Sequence, residues 1–482
     1  MSKALKRDIV TGFFWSFIGQ FGYMFVGLIA NIILARLLSP YEFGQIGIIM
    51  FFIVIARVLT ESGLSGALIR KKDATEIDFS TVFVFNLGVS LTLMFLLILF
   101  AGKIAAFYDD DELKNILIIT SFVLLINALQ ITQNARLVKK LKFKKKASYE
   151  FIAILIASLI GIALAFKGAG VWAIVIMQIS TAIILTLLLW VFEGPISNFY
   201  FSKSSFKGLY KFGVNTTLAS LLNTAFDNIY QLILGKYFSI SQTGFFYQGK
   251  RLQEVPVKII TSTTLGVVFS SLSNLQDDSK KFENYYQRII TLFTIAVGFI
   301  CLVVYFYANN IILILYGEKW LGAVFYMQIL IVASYFYMQE MFNRVIFKVF
   351  NKTEKILYLE IIKKSIQAIS IFIGVVFKNI EILLYGFLLT SILSFFMNYN
   401  ESRKVQNNFS WHEIILVIKV GMISIFTVLI GNFVNRIMDL GGYQSFFALP
   451  ILLLSFLILI RIFKVSRLEN DIGTLLKLIK ND

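Results

Sequence analysis

ILARLLSPYEFG (33–44) and ILGKYFSISQTG (233–244) align without a gap, 200 residues apart. Ile33/Ile233, Leu34/Leu234, Arg36/Lys236, Ser39/Ser239 and Gly44/Gly244 coincide. Each segment closes a long apolar span bearing small residues. In the orientation argued below, both spans enter from the cytoplasm. A repeat running in the same sense implies two parallel bundles related by an axis along the membrane normal. Two such halves around a midplane cavity are a transporter plan.

Composition supports a membrane setting for that repeat. Of 482 residues, 58% are hydrophobic and 15% charged, and the mean hydropathy is +0.78. Soluble domains carry roughly 45–50% apolar and about 25% charged residues. A soluble globular chain is excluded, as are disordered and collagen-like ones. Four prolines and 30 glycines also exclude a Pro/Gly-rich fibre. With one cysteine (Cys301) and one histidine (His412), neither an intrachain disulfide nor a Cys/His metal site can be built. Any histidine-based catalytic pair has to use His412, which sits beside Trp411 in NFSWHEI and reads as an interfacial residue. The +17 net charge suggests the cytoplasmic loops of a membrane protein rather than a nucleic-acid partner.

A spanning helix needs about 20 mostly apolar residues. The chain contains fourteen such stretches, centred on 10–34, 43–62, 79–101, 114–135, 149–166, 171–192, 209–235, 246–270, 286–308, 321–347, 355–376, 380–399, 413–433 and 446–464. None alternates as a barrel strand does, so the predicted fold is an all-α polytopic membrane protein. The first span follows Lys3, Lys6 and Arg7, but it is too long for a signal-peptide core and lacks a small-x-small cleavage site. The repeat divides the chain into six-helix bundles at 1–200 and 201–405. Helices 13 and 14 follow at 406–465, then a cytoplasmic amphipathic tail at 466–482 (IGTLLKLIK).

Charge sets the orientation. With both termini cytoplasmic, the inside segments hold Arg70 to Lys72, the run Arg136 to Lys146, Lys203, Lys207, Lys280, Lys281, Lys352, Lys355, Arg403 and Lys404. The outside loops hold scattered cations such as Lys103 and Lys319 and the acidic run Asp109 to Glu112. Trp15, Trp172, Trp190, Trp320 and Trp411 fall near span ends, where an aromatic belt would sit. No outside loop exceeds about fifteen residues, which leaves no extramembrane domain for an active site.

Several stretches resemble a known family: LARLLSPYEFG (34–44), ESGLSGALIRKKD (61–73), STVFVFNLGV (80–89), AAFYDDDEL (105–113), LKFKKKASYE (141–150), GAGVWAIV (168–175), LGKYFSISQTGFFYQGKRLQEVP (234–256), SSLSNLQDD (270–278) and LYGEKW (315–320). Over roughly the first 350 residues the chain resembles the polysaccharide transporter (Wzx-like) branch of the multidrug/oligosaccharidyl-lipid/polysaccharide flippase superfamily, of the colanic acid exporter type. The resemblance implies a non-enzymatic flippase in the bacterial inner membrane. It would move an undecaprenyl-diphosphate-linked oligosaccharide from the inner to the outer leaflet by alternating access, in lipopolysaccharide or exopolysaccharide export. The partners expected are that lipid-linked glycan, membrane lipids, and the polysaccharide polymerase and export machinery, with no nucleic acid.

Ionisable residues inside spans are costly and face a cavity or a partner. Lys250, Glu254 and Lys258 lie four apart, with Arg251 adjacent and Pro256 expected to kink the helix. Glu340, Arg344 and Lys348 repeat that spacing, Arg57 and Glu61 are four apart, and Asn223, Asp227 and Gln231 form a polar stripe. The functional reading assigns Arg57, Lys250, Arg251, Lys258 and Arg344 to a cationic cavity that grips the diphosphate. Glu61, Asp227, Glu254 and Glu340 pair those cations or carry a coupling ion. The structural reading makes each spaced pair a salt bridge that holds a bundle together, with Lys348 snorkelling.

No cofactor or metal is expected beyond a coupling Na+ or H+; sodium antiport, proton antiport and substrate-driven flipping all fit. The alternative function is a cation-coupled multidrug exporter of the same fold. A membrane polymerase or ligase would need a large catalytic outside loop, which this chain lacks.

Overall fold

The computed structural model describes residues 3–61, 63–196, 199–406, 410–438 and 446–465. Their regular structure is helical. The tail expected at 466–482 lies outside them. In chain order the helices are α1 (Lys3–Leu37), α2 (Pro40–Glu61), α3 (Leu64–Arg70), α4 (Glu76–Tyr108), α5 (Glu112–Ala128), α6 (Ile131–Lys139), α7 (Phe143–Phe166), α8 (Trp172–Glu193), α9 (Lys203–Tyr237), α10 (Ile240–Ser273), α11 (Ser279–Phe306), α12 (Ala308–Leu315), α13 (Ala323–Val349), α14 (Glu354–Val376), α15 (Ile380–Gln406), α16 (His412–Ile437) and α17 (Leu449–Ile462).

Each of the fourteen expected spans falls on this series. Ten stretches among the described residues are long and apolar enough to cross a membrane, judged by length and composition. The four other expected spans correspond to α9, α13, α14 and α17. The first three of these are diluted by charged and polar residues, and α17 has only 14 residues.

Local chemistry sets the helix ends. Thr75 and Asp78 form a capping box that starts α4. The Ser202 hydroxyl accepts from the Ser205 N–H at 3.3 Å and starts α9. Ser39 and Glu42 cap α2, with the Glu42 N–H donating to Ser39 Oγ at 3.4 Å and the Ser39 N–H to Glu42 Oε2 at 2.6 Å. At the repeat-related position the Gln242 N–H donates to Ser239 Oγ at 3.1 Å. The serine shared by the two segments is therefore an N-cap both times. Asp278 caps α11, and the Lys281 N–H and ammonium hold its carboxyl below the usual range. α10 runs unbroken through Pro256, whose nitrogen can give no backbone hydrogen bond.

The chain divides into two compact units, Met1–Tyr247 and Gln248–Asp482, with the division inside α10. In the first unit α1 packs on α7, α7 on α8, α4 on α5, and α2 on α9. Small residues permit these close approaches, as is usual where lipid supplies no hydrophobic drive between helices. A Cβ on Gly19 of α1 would lie 2.2 Å from the Ala147 Cβ of α7. In the second unit α13 packs on α15 and α11, α14 on α15, and α16 on α11 and α17. Its core joins Tyr286, Phe293, Phe342 and Phe395 to aliphatic residues of α11, α13, α15 and α16.

Two expectations need correction. Trp320 is fully buried against Tyr316, their ring centroids 5.8 Å apart, so it belongs to the core and not to an interfacial belt. Arg403 is also buried, for the reason given below.

Candidate functional site

Two of the nine singled-out residues are close partners in the first unit. On α2, Arg57 Nε donates to Glu61 Oε1 at 2.9 Å, and their side chains keep 60% and 48% of their exposure. Such a pair contributes about 0–1 kcal/mol. The stripe on α9 is graded: Asn223 and Asp227 are exposed, while Gln231 is buried and its carbonyl accepts from Thr243 Oγ1 at 3.1 Å.

The second unit holds the remaining candidates. On α10, Glu254 serves two lysines one helical turn away on either side, Lys250 at 3.8 Å and Lys258 at 2.6 Å. Arg251 stands beside Lys250 on the same helix.

A denser cluster joins α13 to α14. Glu340 has no solvent exposure and pairs with Arg344 at 2.5 Å and Lys363 at 2.9 Å. Arg344 also pairs with Glu360, which in turn binds Lys364 at 3.4 Å. Three cations here meet two carboxylates. Burial is possible because α13 is enclosed by protein on most of its circumference, so each charge faces a partner instead of lipid. Sequence spacing found Glu340 and Arg344. It passed over Glu360, Lys363 and Lys364, although those three also lie within one turn of each other inside an expected span. Lys348, third in that spaced series, is exposed.

Another buried network escaped the sequence reading altogether. Arg403 of α15 donates to Glu413 Oε2 at 2.8 Å and to Glu283 Oε2 at 3.3 Å. Its guanidinium lies 4.7 Å from the Tyr286 ring centroid and 5.3 Å from that of Tyr399. Glu413 also accepts from the Tyr286 hydroxyl at 2.9 Å and Asn343 Nδ2 at 2.5 Å, and Ser402 Oγ donates to Asn343 Oδ1 at 2.6 Å. This network ties α11, α13, α15 and α16 together. Counted along the chain, Arg403 looked like a loop cation that sets topology; only the fold brings Glu413 over it.

The basic run Arg136 to Lys146 is largely committed as well. Arg136 pairs with Glu76, Lys145 with Glu193 at 2.8 Å and Lys146 with Glu150 at 2.5 Å. Among the described residues, no group of three or more His, Cys, Asp or Glu side chains is placed to hold a metal. His412 is exposed at the first turn of α16.

The family model described as polysaccharide biosynthesis protein matches residues 33–325, more than half of the chain. The chain belongs to that family. As a member it is similar to the succinoglycan biosynthesis transport protein ExoT of Rhizobium meliloti, with 22% identity over 66% of this chain and 64% of that protein. The lipopolysaccharide biosynthesis protein WzxC of Escherichia coli K12 is 22% identical over 69% and 68% of the two chains. The teichuronic acid biosynthesis protein TuaB of Bacillus subtilis is 23% identical over 67% of each. The match thus spans roughly two thirds of these relatives, falling just below that for the first.

Among solved structures, the lipid II flippase MurJ in an inward closed conformation superposes with a TM-score of 0.72 at 16% identity, over 93% of this chain and 98% of that one. An inward-facing multidrug resistance MATE family transporter of the MOP superfamily gives 0.60 at 17% identity, over 80% and 96%. At these identities the likeness is one of fold. This family member is a multi-pass α-helical membrane protein of that superfamily fold. The family match takes in Arg57, Glu61, Asp227, Lys250, Arg251, Glu254 and Lys258, whereas the α13–α14 cluster lies beyond it.

Proposed function

We propose that this polysaccharide biosynthesis family member is a flippase. It carries an undecaprenyl-diphosphate-linked oligosaccharide from the cytoplasmic to the outer leaflet of the bacterial inner membrane by alternating access. The observation that carries the reading is the clustering of cations on membrane helices: Lys250 and Lys258 on either side of Glu254 on α10, and Arg344, Lys363 and Lys364 with Glu340 and Glu360 on α13–α14. A charged side chain at the centre of a membrane helix costs about 2.5–3.5 kcal/mol. Positive charge gathered at that depth suits an anionic cargo.

Lys250, Arg251 and Lys258 grip the diphosphate, with Arg57 and Arg344 completing the cationic lining. Arriving phosphate oxygens replace Glu254 as the partner of its lysines, in charge-assisted hydrogen bonds of the kind lipid cannot supply. When the cargo leaves, Glu254 closes on the lysines again, so the empty site never exposes bare charge to hydrocarbon. Glu61 does the same for Arg57 and Glu340 for Arg344. Asp227, Glu254 or Glu340 also carries the coupling ion, H+ or Na+.

The two bundles are 1–200 and 201–405, helices 13 and 14 occupy 406–465, and both termini are cytoplasmic. The protein does no covalent chemistry. It hands its glycan to a polymerase and export machinery on the far side. The names of the relatives support this reading, since ExoT is a biosynthesis transport protein and the superposed MurJ a lipid II flippase. A cation-coupled exporter of small molecules is the rival, because the MATE transporter shares the fold.

The test is complementation. Charge reversal of Arg57, Lys250, Arg251, Lys258 and Arg344, one at a time, is assayed for surface glycan in a host lacking its own flippase. Loss of export by inserted, folded variants is expected. Normal export by all five defeats the proposal, and drug resistance without glycan export favours the rival.

A further inference from the structure

The first unit has a groove of about 510 Å³ that the cation clusters do not touch. Phe52 of α2, Leu96, Phe100, Ile104 and Phe107 of α4, and Leu232 of α9 line it, so its wall is almost wholly hydrocarbon and aromatic ring. Leu96, Phe100 and Phe107 are exposed large apolar residues. In a membrane, such a trough is filled by the solvent of that depth, a hydrocarbon chain.

What distinguishes this groove from any greasy surface is the charge at its rim. Lys103 also lines it, and its ammonium lies 5.5 Å from the Phe100 ring centroid. No carboxylate among the described residues is within ion-pair distance of it. α4 rises about 1.5 Å per residue, which puts Lys103 about 16 Å from the helix midpoint, just beyond the ~15 Å half-thickness of the hydrocarbon core. That is headgroup depth. About 9 Å further along the same axis begins the acidic run Asp109 to Glu112. Asp109 is taken by Lys236, 3.2 Å away and itself 4.8 Å from the Phe107 ring centroid. Asp110 accepts from Tyr41 at 2.9 Å and Gln45 at 2.8 Å, and Glu112 accepts from Gln45 at 3.1 Å. Asp111 is exposed and has no cation within ion-pair distance among the described residues.

We infer that this groove is a binding site for one zwitterionic aminophospholipid. A chain of the phosphatidylethanolamine type fills the trough, its phosphate meets Lys103, and its ammonium turns to Asp111. The order of charges from Lys103 of α4 into the turn that follows it selects the lipid. A lone cation over an apolar groove would take any phosphate, but the acidic run beyond it repels a purely anionic headgroup and attracts one that ends in an ammonium.

The whole protein, reconstituted in nanodiscs of equal phosphatidylethanolamine and phosphatidylglycerol, is released into mild detergent and its retained lipid measured by native mass spectrometry. Retention of phosphatidylethanolamine in several-fold excess is expected. Leu96→Trp, which fills the trough without altering charge, lowers total retention several-fold, and Asp111→Lys shifts the preference toward phosphatidylglycerol. Both positions are exposed, so the variants keep their fold, which gel filtration checks. Equal retention of both lipids by wild type, preferential retention of phosphatidylglycerol or of added polyprenyl phosphate, or no change in the two variants, overturns the inference.

Discussion

Gly44 and Gly244, the last matched pair of the repeat, each lie against the backbone at the start of the other's helix. A Cβ on Gly44 would lie 1.8 Å from the Ile240 carbonyl oxygen, and one on Gly244 would lie 1.9 Å from the Pro40 carbonyl oxygen. Pro40 and Ile240 are themselves repeat-related, each following an N-cap serine. The contact is thus reciprocal, as a local twofold requires. Neither collision can be relieved by turning a side chain, because both involve main-chain oxygen.

Gly44→Ala and Gly244→Ala should therefore each cost about 1–3 kcal/mol, the usual range for overpacking. The control is Gly88→Ala on α4, where a Cβ meets nothing within 4 Å. That change should be neutral or stabilising by up to ~1 kcal/mol from helix propensity. Thermal unfolding in detergent measures all three. A Gly44 variant as stable as wild type would show that the two segments do not cross so closely.

Arg403→Ala leaves the buried Glu413 without its cation. Breaking a buried pair from one side costs about 3–5 kcal/mol. Arg57→Ala removes an exposed pair and should cost no more than about 1 kcal/mol. Comparing the two melting temperatures separates a structural arginine from one kept for another purpose. An Arg403→Ala melting temperature equal to that of Arg57→Ala would contradict the burial of the network.

In the α13–α14 cluster, Glu340→Gln removes the carboxylate that Arg344 and Lys363 share. Destabilisation is expected, and the exchange Glu340→Arg with Arg344→Glu tests its meaning. The exchange keeps net charge and pairing on α13 but moves the cation one turn. Stability recovering without glycan export would mark Arg344 as a cargo contact; recovery of both would assign the cluster to structure alone.

Asp278 supplies the pH dependence. Its carboxyl sits below the usual range because the Lys281 N–H and ammonium favour the charged form. A depressed carboxylate stabilises the fold above its unfolded pKa, and the benefit is lost as pH falls through the folded value. The gap in melting temperature between wild type and Asp278→Ala should be present at pH 7 and close on acidification. A gap that widens at low pH would contradict the capping role.

How much was legible in the sequence depends on the distance over which each feature acts. Helices could be read from stretches of about 20 apolar residues, and the repeat from Ser39/Ser239 and Gly44/Gly244, since both roles are local to one turn or one crossing. Glu254 between Lys250 and Lys258 was visible because neighbours four apart share a helix face. Arg403 with Glu413, and Glu340 with Lys363, were not, because those partners sit on different helices and their pairing is a fact of packing. Trp320 misled for the same reason: its place near a span end says nothing about which side chains surround it.

The central claim is that the cations of α10 carry a diphosphate-linked glycan across the membrane. Its most direct measurement is leaflet transfer of a labelled polyprenyl-diphosphate oligosaccharide in proteoliposomes, comparing wild type with the combined variant Lys250→Gln, Arg251→Gln, Lys258→Gln. The account predicts transfer slowed by at least about tenfold, ~1.4 kcal/mol, in a variant whose melting temperature is close to wild type. Transfer at the wild-type rate by that variant would contradict it.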